Sequence, residues 1–470
     1  MSSRATLNYS NFLSSITRRW QALPRRGHAL SGLPDKRVVL EIIQTALAQH
    51  VLPHHTGVGL MLVRVFNHAQ VSATYGVQRA DALMNLVGQR LSLALDKALK
   101  HGHQHGHQHP ALVTRLAEAE FAVLTDASVD AAAQRRLGAL MCETLNLTYP
   151  LHEVTVHVKA AVGVAACNQA YPDAQDLFQS ADIALQVAVS RGRGSLVVFD
   201  RSMREALIQH QLLENDLNVA LQEQQFELAF QPIMALAKLE HVGFEVLARW
   251  QHPVRGCLLP RDFLNVAEDA ELICRLDLHV IGLCLRTMAD WQARQLWRPG
   301  WFVSVNLSAQ HFNRPGLCET LLGMLQSHGI ATQDLHLELT ESAFMQNLQV
   351  ARVEMTRLRQ HGFELYMDDF GTGYSSLSHL HALPFSAIKI DKCFLDPMVH
   401  NLEQSSLIAT MVHMAQLLGI KVVAEGVETL AQLDVLQNLQ CEFAQGHLMG
   451  AAMGPEMACA WLQAALDPVV

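Results

Sequence analysis

Eight short, strand-like runs separated by longer helical stretches constrain the fold of the second half of the chain most strongly. The runs are Glu227–Ile233, Val242–Arg249, Trp301–Leu307, Asp334–Thr340, Phe363–Asp369, Ala387–Asp391, Ile420–Glu425 and Cys441–Gly446. The helical stretches between them include Ile273–Arg294, Leu317–Gly329, Ala343–Gly362 and Gln404–Leu418. Eight strands that alternate with helices over roughly 240 residues predict a (β/α)8 barrel. Functional side chains in such barrels lie at the carboxyl ends of the strands.

Polar side chains occur at these predicted strand ends. They are Glu245, Asn306, Glu338, Asp368 with Asp369, Lys389 with Asp391, Glu425 and Gln445. The adjacent Asp368 and Asp369 follow an apolar run, and two such carboxylates are costly to bury unless a cation neutralises them. Hard oxygen ligands suit Mg²⁺ or Mn²⁺, and an Asp shared between two ions is typical of two-metal phosphodiester chemistry. Taken alone, the pair is equally consistent with an Asp-rich loop that caps the next helix.

Length and composition exclude several classes of protein. A chain of 470 residues should contain two or three domains. A net charge of -9 argues against a dedicated nucleic-acid-binding protein, whose domains usually carry a basic face. The nine cysteines form no C-x-x-C pair, which indicates reduced thiols in a cytoplasmic protein. No run of 18 apolar residues predicts a transmembrane segment.

Two segments of the first half leave alternatives open. Residues 1–29 form a basic extension, in which Asn11–Leu23 has the spacing of an amphipathic helix. Such a helix either contacts an anionic membrane surface or a partner, or is a frayed tail on the next domain. The five histidines at alternate positions in His101–His109 either bind Zn²⁺ or Ni²⁺ loosely or form a solvated loop.

The region 30–202 mixes helices and strands and is predicted to be a separate α+β domain. Val58–Val65, Phe121–Thr125 and Val154–Ala165 have strand character, whereas Arg79–Lys100 is helical. Met203–Leu221 carries leucines at helical spacing and is predicted to be a linker helix. The predicted division of the chain is therefore 1–29, 30–202, 203–221 and 222–470.

Three motifs of the first domain resemble the GGDEF (diguanylate cyclase) family. They are Leu30–Arg37, Arg115–Phe121 and Ala181–Leu185, the last followed by Arg191–Gly194. The positions that should contact nucleotide or metal are replaced by Arg64, Ser72, Ala117, Glu118 and Ala119. A cation at Arg64 repels Mg²⁺ and Ala119 cannot bind it. We therefore expect a degenerate, inactive GGDEF domain that serves as a regulatory or dimerisation module and contacts a regulatory protein partner.

Motifs from Leu213 to about Leu466 resemble the EAL family of cyclic di-GMP phosphodiesterases. In order they are Gln231–Ile233, Glu245–Trp250, Asn306–Ser308, Glu338–Glu341, Asp368–Gly371, Lys389–Asp391, Glu425–Glu428 and Gln445–Gly446. Val246 replaces the Ala of the naming triplet, which adds two methyl groups and removes no ligand. His447 stands where the family often has Tyr.

The EAL resemblance implies a role for each site residue. The implied metal ligands are Glu245, Asn306, Glu338 and Asp368 for one ion and Asp368, Asp369 and Glu425 for the other. The implied catalytic residues are Lys389, Glu425, Asp391 and Glu341, with Asp391 holding the Lys389 ammonium and Glu341 fixing the Gly371–Ser376 loop. A structural salt bridge between Lys389 and Asp391 is the alternative for that pair. The implied substrate-binding residues are Gln231, Leu247, Arg249 and Gln445.

The function expected from this resemblance is hydrolysis of cyclic di-GMP to linear pGpG with two Mg²⁺ or Mn²⁺ ions. The resemblance also implies a homodimer that pairs through the EAL domain. The alternative is a barrel that binds cyclic di-GMP, or only a protein partner, without hydrolysis. A third class, an active cyclase, is excluded by Arg64 and Ala119.

Overall fold

The computed structural model describes most of the chain. The described residues are 36–49, 58–101, 111–126, 129–151, 154–166, 171–313, 316–340, 348–371, 380 and 382–466. The predicted N-terminal helix and most of the histidine tract lie outside them. The described part divides into two compact units, 1–209 and 210–470. The predicted domain bounds stay predictions. Among the described helices, none combines the length and apolar character that a membrane crossing requires.

The first unit is an antiparallel sheet covered by helices. Its elements are α1 (Lys36–Gln49), β1 (Val58–Val65), α2 (His68–Tyr75), α3 (Val77–His101), β2 (Leu112–Ala117), β3 (Glu120–Asp126), α4 (Ala131–Leu145), β4 (Thr148–Leu151), β5 (Val154–His157), β6 (Ala160–Ala165), α5 (Ala174–Ser190) and β7 (Leu196–Val198). The strand order is β2-β3-β1-β6-β7, in which only β6 and β7 are parallel. β4 and β5 form a separate hairpin.

The alternation of side chains on β1 explains how this sheet is covered. Met61 and Val63 pack in one core cluster with residues of α3 and α4. Leu60 and Leu62 pack in another, with residues of α1 and α5. A sheet that buries both faces needs apolar residues at every position, and β1 is apolar at nearly every position. The predicted strand Val154–Ala165 is wrong in one respect, because it consists of β5 and β6, which belong to different sheets.

The boundary between the two units falls within one helix, Arg201–Ala220. The elements of the second unit are α6 (Arg201–Ala220), β8 (Phe226–Ala235), β9 (Glu240–His252), β10 (Gly256–Leu258), α7 (Pro260–Asp269), α8 (Ile273–Ala293), β11 (Phe302–Asn306), α9 (Leu317–His328), β12 (Leu335–Thr340), α10 (Leu348–Gln360), β13 (Glu364–Phe370), β14 (Ala387–Ile390), α11 (Lys392–Leu395), α12 (Leu402–Leu417), β15 (Lys421–Ala424), α13 (Leu430–Asn438), β16 (Phe443–Gln445) and α14 (Pro455–Leu466). All eight predicted strand runs contain a strand, and the predicted linker helix is α6.

The strands close into a barrel whose first strand runs against the others. Strands β9 and β11 to β16 are parallel neighbours in that order. β8 joins β16 to β9 and is antiparallel to both. The predicted barrel is therefore confirmed as an architecture. β8 departs from the all-parallel arrangement that is usual for such barrels, because β8 and β9 are joined by a short hairpin that reverses the chain, whereas parallel neighbours need a crossover.

Side chains alternate along each strand between the barrel interior and the surface that faces the helices. Val303, Val305, Leu337 and Leu339 belong to the large core shared with the helices. Intervening residues face inward, where Phe302, Tyr366, Ala387 and Val423 form an apolar layer with Ile233. Further along the same faces come Asn306, Glu338, Asp368, Lys389, Glu425 and Gln445. The interior is thus apolar at one end and densely charged at the other.

Candidate active site

A cavity of about 250 Å³ lies at the charged end of the barrel. Its lining residues are Gln231, Glu245, Asp368, Lys389, Lys392, Glu425, Gly426, Glu428, Gln445, Gly446 and His447. Most of them stand at the carboxyl ends of strands. Gln231 and Glu245 instead lie within β8 and β9, and β9 continues to His252 through its pairing with β8 and β10. Glu245 still lies at this level, since its parallel neighbour β11 ends beside it.

The ammonium of Lys389 is the centre of the charged cluster. Its Nζ lies 2.5 Å from Glu425 Oε1, 2.7 Å from Glu338 Oε2, and 3.4 Å from both Glu245 Oε2 and Asp368 Oδ1. The side chains of Lys389 and Glu338 are 1% and 0% exposed. A buried charge persists only where opposite charge and hydrogen bonds compensate its desolvation. Lys389 therefore offsets part of the negative charge of four carboxylates.

Protonation in this cluster follows from burial and from the excess of acids. Burial raises the pKa of Glu338, and the negative charges of Glu245 and Asp368 add to this, so that Lys389 only partly opposes the rise. Burial likewise raises the pKa of Glu425, to about 8, against the opposing charge of Lys389. Burial lowers the pKa of Lys389, but the surrounding carboxylates outweigh it and hold this pKa well above the ordinary value. The site has a strong affinity for positive charge.

Three amide side chains orient Glu245. Gln445 Nε2 donates to Glu245 Oε2 at 2.6 Å and to Gln231 Oε1 at 3.0 Å. Asn306 Nδ2 donates to Glu245 Oε1 at 3.2 Å. Both carboxylate oxygens of Glu245 are therefore held by neighbours from other strands. These contacts fix the carboxylate in one orientation inside the barrel.

The backbone at the Asp368-Asp369 pair is irregular. The pairing of β13 with β14 shifts register between Met367 and Phe370, as at a bulge. Asp369 has φ 55°, a left-handed conformation that non-glycine residues rarely adopt, and its N–H donates to Asp368 Oδ1 at 3.0 Å. A bulge changes the direction of the side chains that follow it. Asp368 lines the cavity and lies 3.4 Å from Lys389 Nζ, whereas Asp369 is exposed and is not one of the lining residues.

The residues present fit divalent cations. Oε1 of Glu338 is buried and has no hydrogen-bond partner within the described part of the chain. A carboxylate oxygen in that position is suited to a cation as its ligand. No three His, Cys, Asp or Glu groups among the described residues are spaced to bind one ion as they stand. The carboxylates are arranged around the Lys389 ammonium instead.

Comparison with known proteins identifies the family of this chain. A family model described as "EAL domain" matches residues 214–452, more than half of the chain. This chain belongs to the EAL family. A second model, "Diguanylate cyclase, GGDEF domain", matches residues 28–195. The order of a GGDEF domain followed by an EAL domain agrees with the resemblances in the sequence.

Two curated relatives come from Pseudomonas aeruginosa. The "Cyclic di-GMP phosphodiesterase NbdA" is 32% identical over 423 residues, which cover 90% of this chain and 52% of the relative. The "Bifunctional diguanylate cyclase/cyclic di-GMP phosphodiesterase MucR" is 29% identical over 435 residues, 92% of this chain and 61% of the relative. The chain thus spans 52% and 61% of the length of these two relatives. A solved structure, "PaMucR Phosphodiesterase, c-di-GMP complex", is 36% identical with a TM-score of 0.50, and covers 53% of this chain and 99% of that one.

The EAL barrel brings together most of the residues predicted for the site. Glu245, Glu338, Asp368 and Glu425 surround Lys389, and Asn306, Gln231 and Gln445 contact Glu245 or one another. Arg249 Nη1 donates to the carbonyl of Ala248 at 2.9 Å, and Leu247 is half-buried on the same strand. Glu341 and most of the Gly371–Ser376 loop lie outside the described residues.

The predicted contact between Asp391 and Lys389 is wrong. Asp391 is the N-cap of α11, and its Oδ1 accepts the N–H of Cys393 at 2.8 Å. Lys389 points into the barrel and Asp391 lies beyond the end of β14. A carboxylate at a helix start is held by backbone donors of that helix. The structural salt bridge to Asp391 is likewise not formed.

Sequence reasoning missed three polar residues that line the cavity. Lys392 and Glu428 form an ion pair of 2.5 Å, and His447 Nδ1 lies 3.5 Å from the same Glu428 oxygen. Their positions in the sequence could have indicated that they lie at the site. Lys392 and His447 directly follow an EAL motif, and Glu428 is the last residue of one. They form the solvent-exposed edge of the cavity.

In the GGDEF domain, two arginine side chains lie at the turn between β2 and β3. Arg64, at the end of β1, donates from Nε to Glu120 Oε1 at 2.8 Å. Arg115 is buried, and its Nη2 donates to Asp81 Oδ1 at 2.9 Å and to the carbonyl of Glu118 at 2.8 Å. The β2–β3 turn is therefore held by two arginines.

Proposed function

We propose that this chain hydrolyses cyclic di-GMP to linear pGpG at the charged end of the EAL barrel. The observation that carries the proposal is the convergence of four carboxylates from different strands on the Lys389 ammonium, beside a cavity that three of them line. The four are Glu245, Glu338, Asp368 and Glu425, of which Glu338 is not a lining residue. The names of the relatives NbdA and MucR, and the cyclic di-GMP complex of PaMucR, support the choice of substrate.

Two divalent cations, Mg²⁺ or Mn²⁺, would be held by the residues already described. Glu245, Asn306, Glu338 and Asp368 would hold one, and Asp368, Asp369 and Glu425 the other. When bound, such ions lower the pKa of water and neutralise charge on the phosphate. An excess of carboxylates over the single Lys389 ammonium, and the unpaired Oε1 of Glu338, supports this assignment.

Besides the metal ions, the Lys389 ammonium supplies positive charge within the carboxylate cluster. An ammonium has only donors, so that it can direct a water or a phosphate oxygen through N–H contacts but cannot accept a proton. With cations held by the carboxylates, Lys389 would help to neutralise the charge that develops on the phosphate. Gln231 and Gln445 hydrogen-bond to one another in this structure. Their amide groups would hydrogen-bond to the substrate when it binds.

Arg249 and Leu247 are proposed as substrate contacts on β9. The planar fork of Arg249 suits a phosphate oxygen, and its hydrogen bond within the described part of the chain is to the neighbouring carbonyl of Ala248. Asp391 acts indirectly, because it fixes the start of α11 and thereby Lys392 at the cavity edge. The role proposed for Glu341 is to fix the Gly371–Ser376 loop.

The test is product formation by the full chain with Mg²⁺ or Mn²⁺, against the same assay in EDTA. Glu245→Ala should lower turnover by about 100-fold, because one ion then loses a charged ligand. Glu240→Ala, an exposed glutamate on the same strand, is the matched control and should retain parental turnover. Near-parental kcat for E245A at saturating metal would refute this assignment. Tight cyclic di-GMP binding without product would favour a receptor instead.

The GGDEF domain is proposed to be inactive and regulatory. Arg64, which stands where the resemblance implies a metal ligand, forms an ion pair with Glu120, and this supports the proposal. We expect no cyclic di-GMP synthesis from GTP and no micromolar GTP binding by calorimetry to a chain with E245A. Micromolar GTP binding would contradict this and indicate a GTP-sensing domain.

A further inference from the structure

Asp277, on α8, is buried beneath the loop that follows β11. Its Oδ2 accepts the N–H of Ser308 at 2.8 Å and lies 3.2 Å from His311 Nε2. The side chains of His311 and Asp277 are 6% and 10% exposed. His311 belongs to a 3-10 turn, Ala309–Asn313. One carboxylate therefore holds the segment after Asn306 at two points.

The contact between His311 and Asp277 joins a buried base to a buried acid. Burial raises the pKa of Asp277, and the hydrogen bond and charge of His311 oppose the rise. Burial lowers the pKa of His311, but the hydrogen-bonding and charge of Asp277 and Cys274 outweigh it and raise this pKa to about 9. The imidazole is consequently charged near neutral pH. A buried pair of this kind holds its two elements at a fixed separation, because moving either partner leaves the other uncompensated.

The other side of the same segment faces the candidate active site. Asn306 is the last residue of β11, and its Nδ2 donates to Glu245 at 3.2 Å. The N–H of Leu307 donates to the carbonyl of Glu338 at 2.8 Å. Beyond Asn306 the regular strand ladder ends, so that the position of its amide depends on how residues 307 and 308 are held.

We propose that Asp277 is a positioning residue for the metal-ligand role of Asn306, with His311 as its counter-ion. Asp277 fixes Ser308, and Ser308 fixes the strand end, so that the Asn306 amide is held beside Glu245 and Glu338. Residues that orient metal ligands set metal affinity even where they never touch the ion. This inference rests on the proposed metal-dependent phosphodiesterase function.

A second His–Asp pair provides the control, and it differs in burial, since His252 is 4% and Asp216 47% exposed. His252 Nε2 lies 3.1 Å from Asp216 Oδ2, and this pair joins the far end of β9 to α6. Neither residue contacts a candidate metal ligand. The same Asp→Asn change at 216 and at 277 therefore separates general loss of an ion pair from loss of positioning.

The experiment is Mn²⁺ titration of the full chain, followed by electron paramagnetic resonance, for D277A, D277N, H311Q, D216N and N306A. D277A should raise the Kd by about tenfold at the site that N306A also weakens. D277N retains an acceptor for the Ser308 N–H and should have a smaller effect. D216N should bind Mn²⁺ within twofold of the parent.

Unchanged Mn²⁺ affinity in a folded D277A, judged by circular dichroism, overturns the proposal. If D277A does not fold, D277N and H311Q decide by the same criterion, and parental Kd in both overturns it. A parent chain that binds Mn²⁺ without hydrolysing cyclic di-GMP refutes the proposed function alone. A parent chain that binds no Mn²⁺ overturns both.

Discussion

Lys389 shows how a single residue determines the electrostatics of the barrel. Four carboxylates lie within 3.4 Å of its Nζ, yet one ammonium offsets only one unit of charge. We expect Lys389 and a divalent ion to compete for the same oxygens. The residue would then have two opposing effects: it would stabilise the folded chain in the absence of metal and weaken the binding of metal.

Lys389→Met should destabilise the chain in EDTA by about 3–5 kcal/mol, because buried acids lose their counter-ion. Added Mn²⁺ should then stabilise the variant more than the parent, since the carboxylates no longer share their oxygens with Lys389. Denaturant unfolding with and without MnCl₂ measures both effects. Lys392→Met removes an exposed ion pair at the cavity edge and is the control, with little expected change.

Equal stability of K389M and the parent in EDTA would show that the carboxylates do not depend on Lys389. Equal stabilisation of both proteins by Mn²⁺ would contradict the competition between this side chain and the ion.

The sequence predicted the acids of the site well and the partner of Lys389 poorly. Period-two alternation places Glu338 and Asp368 on the inner face at strand ends, and this is visible in the spacing. The partners of Lys389 come from residues 21 to 144 positions away, and no local pattern indicates them. Asp391, two residues on, was the nearest acid, but its helix N-cap role depends on a chain reversal after Ile390. Asp277 was missed because one acid in an apolar helix gives no sign of which loop it meets.

At the scale of elements, the start of β9 carries a histidine that cannot easily be charged. His241 is buried, its ring centroid lies 4.5 Å from that of Phe244 and 4.9 Å from that of Trp301, and neither ring nitrogen has a hydrogen-bond partner among the described residues. Burial lowers its pKa to about 4. The strand end is therefore built for a neutral ring.

The depressed pKa makes this part of the barrel sensitive to acid. The unfolded chain binds a proton at His241 with a pKa near 6.5, whereas the folded chain does so only near 4, so that stability falls as pH drops from about 6.5 to 4. His241→Phe should therefore be more favourable at pH 5 than at pH 8 by about 2 kcal/mol. Urea unfolding at both pH values measures this, with H413F at an exposed position as the control. An effect of H241F that is the same at both pH values would contradict the prediction.

The direction of β8 was the element that strand counting could not predict. Eight alternating runs imply eight parallel strands, but Glu227–Ile233 and Val242–Arg249 have no helical stretch between them. That short connection was the signal for a hairpin. The bounds of the observed strands differ from the predicted ones by one to three residues at most ends. Backbone hydrogen bonding between neighbouring strands, and not apolar character, determines where a strand ends.

At the scale of the whole molecule, we expect two copies of this chain to associate through their EAL domains. The expectation rests on the family resemblance and on the proposed inactive GGDEF domain, which would otherwise have no evident use. Sedimentation and cyclic di-GMP turnover measured over a dilution series should show specific activity that falls as dimers dissociate. A chain that stays monomeric with constant specific activity, and that is unaffected by removal of residues 1–200, would contradict this regulatory role.

The antiparallel β8 also has a consequence for how the active site forms during folding. β8 pairs with β16, more than 200 residues further along, and Phe230 forms a β-bridge with Met453. Contacts of such sequence separation form late, because loop closure must precede them. Gln231 and Glu245 therefore meet Gln445 only after nearly the whole domain has been synthesised. Nascent chains that end before β16 contain every carboxylate of the site but lack the pairing of β16 with β8. The proposed phosphodiesterase activity would therefore appear only once the barrel has closed.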